Sequence, residues 1–230
     1  MKNSIQLLVL ALAFVFFAAC QGGASSETNE KETEEVTEET SPETSNEAEE
    51  VSNEFKLDLE NSIVNWEANK KFVESGHNGT LNFKSGQFVV NEGQLVGAVF
   101  VVDMTSIKNK DMEGTDGAEK LEGHLRSDDF FSVEQFPEAS FKLSSVSENE
   151  SVEYSHTATG ELTIKGITNE VSFPLNLSVN QDQLDASGEL TFDRTKYDVK
   201  YGSDAFFDVV KDKVIKNDVK LTFKVKGSAV

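Results

Sequence analysis

The sequence predicts an all-β domain with one short helix, arranged as a closed barrel or a sandwich of about eight antiparallel strands. Apolar and polar residues alternate along most of the chain beyond residue 54, as in strands with one buried and one solvated face. Turn-forming residues separate the alternating rows at short intervals. Seventeen phenylalanines, most of them beyond residue 54, indicate a large aromatic interior.

The clearest strands are three alternating rows in the second half of the chain. They span residues 171–179, 184–192 and 219–226, and each places apolar side chains at every second position. Pro174 interrupts the first row without breaking its period. Because proline lacks an amide hydrogen, we expect its nitrogen to face a sheet edge or a bulge.

Turn signals divide these rows into hairpins. Residues 87–90 and 94–103 are predicted to pair around Asn91-Glu92-Gly93, and residues 160–164 are predicted to pair with 171–179 around 165–170. Residues rich in Asn, Gly and Ser predict further turns at Asn78-Gly79, Lys84-Ser85-Gly86 and Asn180-Gln181-Asp182.

One segment has helical rather than strand spacing. Ala118, Leu121 and Leu125 recur three and four residues apart, which predicts a short helix over 117–126. A turn then leads into a predicted strand around residues 139–143.

The first twenty residues are typical of an export signal that ends in the only cysteine. Lys2 precedes an apolar stretch, 5–19, that is short for a transmembrane helix. Phe17-Ala18-Ala19 before Cys20 resembles a lipobox, although Phe17 stands where Leu is usual. An ordinary secretory signal is the alternative. We expect residues 1–20 to be a lipoprotein signal peptide and Cys20 to be acylated, which would anchor the chain to a membrane of the bacterial envelope, facing the periplasm or the surface.

Residues 21–54 are predicted to be a disordered acidic tether. They hold twelve Glu and one Lys and almost no large apolar side chain, so they cannot form a core. Residues 55–230 are long enough for one domain. This domain is also acidic and has no basic stripe, which excludes nucleic acid as a partner.

Four motifs along the domain resemble those of the YceI-like family, in the same order and over about residues 55–228. They are Trp66 with Gly76-His77-Asn78-Gly79; the run Gly123-His124-Leu125-Arg126-Ser127-Asp128-Asp129-Phe130-Phe131 with Phe136-Pro137-Glu138-Ala139 and Phe141; Gly160-Glu161-Leu162-Thr163-Ile164-Lys165-Gly166-Ile167-Thr168 with Val171; and Phe192-Asp193-Arg194.

The resemblance implies a lipocalin-like antiparallel barrel that encloses an apolar tunnel for a polyisoprenoid or isoprenoid-quinone-like lipid. The expected function is therefore non-enzymatic lipid binding by a membrane-anchored carrier, reservoir or scavenger. The alternative is a structural or adhesive surface module whose barrel is filled by its own side chains. A homodimer is compatible with the sequence, and the oligomeric state is left open.

Inward-facing apolar residues of the alternating rows are the expected tunnel lining: Trp66, Phe100, Phe141, Phe173, Leu175, Leu177, Leu221 and Phe223. Arg194 continues the even-numbered row of 184–192, so it is predicted to point inward. A buried guanidinium needs a partner. Either a carboxylate at the barrel end or the polar end of the ligand would satisfy it.

Catalytic and metal-binding motifs are not recognisable in this sequence. His77, His124 and His156 lie in three different predicted elements, with His77 expected at a turn, and lack metal-ligand spacing. Asp128-Asp129 is better explained by a turn than by a carboxylate pair. Acidic residues between 103 and 116 do not match a calcium-binding loop. We expect no enzyme activity, no cofactor and no metal site.

Overall fold

The computed structural model describes residues 52–230, so the predicted signal peptide, Cys20 and the tether up to residue 51 lie outside the described residues. Residues 52–54, which the sequence assigned to the tether, are paired in the first strand. In order, the elements are β1 (Ser52–Leu57), β2 (Ile63–Lys70), β3 (Gly76–Asn91), β4 (Gln94–Asn109), α1 (Asp116–Arg126), β5 (Glu138–Glu148), β6 (His156–Ile164), β7 (Ile167–Val179), β8 (Gln183–Asp193) and β9 (Ile215–Ala229), with 3₁₀ turns at Arg194–Tyr197 and Lys211–Lys213.

The strands close into an antiparallel barrel, which confirms the barrel and excludes the sandwich. Around the ring the order is β3-β2-β9-β8-β7-β6-β5-β4, and β4 pairs back onto β3. The remaining strand, β1, pairs with residues 87–91 of β3 and 227–229 of β9. β2 pairs with the opposite parts of the same two strands, residues 76–81 of β3 and 215–224 of β9. β1 and β2 therefore share one of eight positions in the ring.

The barrel has two distinct ends. At the α1 end lie α1, the loop 71–75 between β2 and β3, and the segment 194–214 between β8 and β9. At the β1 end lie the start of β1 and the hairpin between β3 and β4. Within residues 52–230, no helix is both long and apolar enough to cross a bilayer.

The predicted helix and hairpins are confirmed, with small shifts in their bounds. α1 starts one residue earlier than predicted, where Thr115 Oγ1 accepts a hydrogen bond from the Ala118 N–H at 3.3 Å. The turn between β6 and β7 is shorter than predicted. Lys165 and Gly166 both have positive φ, 51° and 71°, which suits a two-residue hairpin turn. Pro174 lies just beyond the last pairing of β7 with β8, at Leu175, as expected for a proline in a strand.

Two predicted turns are wrong, because Asn78-Gly79 and Lys84-Ser85-Gly86 both lie inside the long strand β3. A Cβ on Gly79 would lie 1.8 Å from the Lys108 carbonyl oxygen and 2.7 Å from the Trp66 ring. Glycine is thus required here for close packing rather than for a turn. The segment Lys84-Ser85-Gly86 coincides with a register shift between Phe83 and Ser85, which is a β-bulge in the pairing of β3 with β4.

Candidate functional site

An apolar cavity of about 190 Å³ lies inside the barrel. Every strand except β1 contributes to its wall, and among residues 52–230 the only polar lining residues are Ser140 and Arg194. An apolar cavity of about 150 Å³ stays dry and accepts benzene. This space therefore suits a hydrocarbon rather than water.

Eight of the nine predicted ligand-binding residues line this cavity: Trp66, Phe100, Phe141, Phe173, Leu175, Leu221, Phe223 and Arg194. Leu177 does not line it and packs at the edge of the core instead. Contact between these residues and a ligand stays a prediction. The structure adds lining residues that the sequence analysis missed, among them Phe83, Phe88, Phe130, Phe131 and Phe192. It also adds alanines from the inward rows, such as Ala98 and Ala186, whose small side chains leave space.

Aromatic side chains fill much of the interior without closing it. The Phe173 ring lies 5.4 Å from that of Phe141 and 5.5 Å from that of Phe223, measured between centroids. Phe100 contacts Phe83 and Phe88 in the same manner, at 5.6 and 5.1 Å. These pairs form two groups of three rings each, and all six rings line the remaining space. The barrel is thus partly filled by its own side chains.

Two glycines let large rings lie against the barrel wall. A Cβ on Gly160 would lie 2.6 Å from the Phe141 ring, and one on Gly188 would lie 2.8 Å from the Phe223 ring. Each ring therefore covers the backbone of an adjacent strand instead of projecting further inward. Without these glycines the two rings would have to move into the cavity.

The cavity extends to the α1 end and stops short of the β1 end. Leu125 of α1, Phe130 and Ile215 all line it at the α1 end. At the β1 end, Phe55 and Leu184 are buried, with 1% and 0% of their surface exposed, and neither lines the cavity. Close packing therefore fills the β1 end beyond the cavity, and at the α1 end the cavity is covered by Leu125 and Phe130, each 8% exposed.

Arg194 lies at the α1 end of the cavity, only 2% exposed. Its guanidinium donates hydrogen bonds to the carbonyl oxygens of Val199 (2.7 Å), Lys216 (3.0 Å) and Ile215 (3.3 Å). The inward direction was predicted correctly, but a carboxylate partner is wrong, since main-chain carbonyls take that place. Burial lowers the pKa of Arg194, partly offset by the nearby Asp193. Three of five guanidinium N–H groups are used, which leaves two for another acceptor.

The buried carboxylate of Glu122 is the centre of a polar cluster beneath α1 that the sequence analysis missed. Its Oε1 accepts a hydrogen bond from the Asn109 N–H at 3.0 Å, and its Oε2 lies 3.1 Å from both Lys108 Nζ and Arg126 Nη2. Burial raises the pKa of Glu122, but these three donors outweigh it, and the pKa lies below the ordinary value. The four-residue spacing of Glu122 and Arg126 on one helix was the available signal. The cluster fixes α1 against β4.

The three histidines lie in three separate places. His77 Nδ1 lies 2.9 Å from Asp111 Oδ2, His124 Nε2 lies 2.9 Å from Asp129 Oδ2, and His156 Nδ1 contacts the adjacent serine hydroxyl at 2.7 Å. His77 lies in β3, so its expected place at a turn is wrong. Across residues 52–230, no three His, Cys, Asp or Glu side chains are grouped as metal ligands.

Comparison with known proteins matches the YceI-like domain family model to residues 55–227. A UPF0312 protein of Staphylococcus aureus (strain bovine RF122 / ET3-1) is 36% identical over 87 residues, 35% of this chain and 47% of that protein. Another, from strain COL, is 31% identical over 119 residues, 49% of this chain and 61% of that protein. The chain thus spans about half the length of the curated relatives it matches.

Two solved structures share this fold. BcnA from Burkholderia cenocepacia has a TM-score of 0.57 and 21% sequence identity, over 74% of this chain and 98% of its own. A polyisoprenoid binding domain from Saccharophagus degradans has a TM-score of 0.53 and 16% identity, over 76% of this chain and 98% of its own. At such identities the likeness concerns the fold alone.

Proposed function

We propose, because this chain belongs to the YceI-like domain family, that its barrel binds the chain of an isoprenoid-type lipid without covalent chemistry. The observation that carries the proposal is the apolar cavity of about 190 Å³, whose described lining has one charged residue, at the α1 end. The related fold of a polyisoprenoid binding domain supports this choice of ligand class. The protein then acts as a carrier, reservoir or scavenger, not as an enzyme.

The physical driving force is burial of hydrocarbon. Each buried methylene contributes about 0.8 kcal/mol, so one five-carbon isoprene unit contributes roughly 3–4 kcal/mol. The cavity is only slightly larger than one that accepts benzene, so it holds about one such unit as it stands. A longer chain requires the half-buried rings of Phe83, Phe100 and Phe223 to rotate, or its remainder to leave through the α1 end.

Arg194 is the group we assign to the polar end of the ligand. Within residues 52–230 it is the only charged residue of the cavity wall, and its three hydrogen bonds to main-chain carbonyls leave two N–H groups for a ligand. A head group with oxygen acceptors, such as a quinone carbonyl or a phosphate, would take these donors. Its position at the α1 end is consistent with a lipid whose head is near the surface and whose chain is inside.

The same proposal includes attachment to the bacterial envelope. The lipobox-like Phe17-Ala18-Ala19 before Cys20 supports acylation of that cysteine, and the acidic stretch that follows supports a tether. The barrel would then be held near a membrane that supplies or receives its ligand.

The test is to purify the full chain from membranes in detergent and to examine its organic extract by mass spectrometry. A long isoprenoid that co-purifies in stoichiometric amount is the expected result. The chain stripped of lipid should also bind an added polyprenol. If no lipid co-purifies and no polyprenol binds, the proposal is wrong and a self-filled structural module is the better description.

A further inference from the structure

Large side chains at the α1 end form an exposed apolar surface, here called the aromatic rim. It consists of Phe72 and Val73 in the loop 71–75 and Tyr201, Phe206, Phe207 and Val210 in the segment 194–214. Their exposed fractions range from 40% to 68%. In the part of the chain that the structure describes, the four most exposed aromatic residues all belong to this rim. Such grouping distinguishes it from isolated exposed residues such as Val99.

The two loops of the rim form one surface. The Lys71 N–H donates a hydrogen bond to the Val214 carbonyl at 2.9 Å, and Lys71 Nζ lies 2.7 Å from Asp204 Oδ2. These contacts join the loop 71–75 to the segment 194–214 across the end of the barrel. The two loops that carry the aromatic side chains are therefore held together.

The rim is in direct contact with residues that line the cavity. The Tyr201 ring lies 5.1 Å from the ring of Phe130, which is a lining residue. The Ile215 N–H donates a hydrogen bond to the Gly202 carbonyl at 2.8 Å, and Ile215 also lines the cavity. The apolar surface thus continues from the outside of the α1 end to the wall of the cavity.

Charge distinguishes the rim from the rest of the domain. Residues 70–74 and 200–213 carry five lysines against four acidic residues, although residues 55–230 as a whole have a formal charge of −10. Lys71 lies 5.4 Å from the centre of the Phe72 ring, and Lys200 lies 5.2 Å from that of Phe206. Lysines beside exposed rings are suited to the polar headgroups above a buried apolar surface. Lysine is depleted in protein interfaces, so a second copy of the chain fits this surface less well.

We propose that the aromatic rim docks the α1 end of the barrel onto a lipid bilayer. The rings of the rim enter the headgroup–acyl boundary, and the neighbouring lysines contact the headgroups. An anionic membrane repels the acidic wall of the barrel more than the rim, which orients this end toward the bilayer. Docking itself is independent of what the cavity holds. The consequence that a lipid passes between bilayer and cavity without crossing water rests on the proposed function.

The test places a tryptophan on the rim of the full chain, reconstituted by its own anchor or by detergent removal into vesicles. The vesicles contain phosphatidylcholine and phosphatidylglycerol with brominated acyl chains, which quench nearby tryptophan. Phe207→Trp is the rim variant, and Val99→Trp on the outer wall of β4 is the control, at similar exposure of 57% and 47%. Trp66 is buried, so its emission serves as the common background. We expect quenching and a blue shift for the probe at 207 and neither for the probe at 99.

Equal emission of the two probes in brominated vesicles would overturn docking. A blue shift at position 207 that follows protein concentration without bromine quenching would show contact between copies instead. Loss of both rings in Phe206→Ser/Phe207→Ser should lower the docking equilibrium about tenfold or more per ring. The same double variant should still bind a polyprenol added in detergent. If no variant binds polyprenol but the probe at 207 is quenched, the lipid-binding proposal fails while docking stands.

Discussion

Replacing Ala98 by phenylalanine tests whether hydrocarbon occupies the cavity described here. Ala98 lies on β4 with its methyl group on the cavity wall and is 6% exposed. The next residue, Val99, points outward and is 47% exposed. Ala98→Phe and Val99→Phe therefore add similar rings to opposite faces of one strand. We expect only the first to prevent ligand binding.

The gain in stability expected on ligand binding follows from the volume of the cavity. An empty cavity costs about 24 cal/mol per Å³, so filling 190 Å³ with hydrocarbon stabilises the fold by about 4–5 kcal/mol. For a domain of this size, that corresponds to a rise in Tm of about 9–18 °C. A phenyl ring at position 98 uses about 150 Å³, the space that accepts benzene. The remaining 40 Å³ or so can then contribute no more than about 1 kcal/mol.

The assay is thermal unfolding of the full chain in a sterol-based detergent, with and without farnesol or a longer polyprenol. The single tryptophan, Trp66, lines the cavity and reports unfolding by fluorescence. Overpacking can lower the stability of Ala98→Phe by about 1–3 kcal/mol, so the ligand-dependent difference is the quantity to compare. A full ligand shift in Ala98→Phe, or its loss in Val99→Phe, would refute this reasoning.

Four further predictions concern single residues. Arg194→Met should destabilise the domain by about 3 kcal/mol or more in guanidinium denaturation, because three buried carbonyls lose their donor; Arg194→Lys should cost less, and a methionine variant of unchanged stability would contradict the account. Gly79→Ala should cost about 1–3 kcal/mol because its Cβ would lie 1.8 Å from a carbonyl oxygen, whereas Gly97→Ala, with its nearest neighbour at 3.5 Å, should be nearly neutral. The stability that ionised Glu122 contributes is complete above the pKa of an unfolded-chain glutamate, about 4.5, and is lost as the pH falls through its lower folded-state pKa. Glu122→Gln should therefore flatten the pH dependence of the urea unfolding midpoint in this range. An unaltered pH dependence would show that Glu122 does not cause it. Cys20→Ala should abolish incorporation of labelled palmitate, and persistent incorporation would place the acyl group elsewhere.

Strand positions could be predicted because alternation is a local property of the sequence. The rows ending at Val179, Phe192 and Lys226 all lie within observed strands. Closure could not be read from the residues, since the pairing of β4 with β3 depends on register over the whole ring. The resemblance to the YceI-like family predicted the barrel, and the structure confirms it.

Glycine caused the clearest errors, because it serves two purposes that look alike in a sequence. At Gly166, with φ of 71°, it permits a hairpin turn, as predicted. At Gly79 and Gly86 it leaves room for neighbouring side chains inside β3, where turns were expected. Only the three-dimensional contacts separate these two uses.

Part of the candidate site could be predicted from the sequence by the same reasoning. Inward positions of regular strands, such as Phe173 and Phe223, follow from the alternating pattern. Phe130 follows α1 in a segment without periodicity, and the partners of Arg194 come from carbonyls five or more residues away in the chain. The aromatic rim was missed for a similar reason, since exposed rings in loops carry no repeating pattern.

β1 and β2 share one position in the ring of strands, and this arrangement affects how the protein tolerates N-terminal truncation. β2 alone still bridges β3 and β9, so the ring remains continuous without β1. Deleting residues up to about 60 would remove Phe55, which packs in the core cluster at the β1 end. It would also leave residues 87–91 of β3 and 227–228 of β9 paired on one side only, with β4 and β8 respectively. A shortened chain would then expose the β1 end of the core to solvent, and a hydrocarbon could approach the cavity from that side.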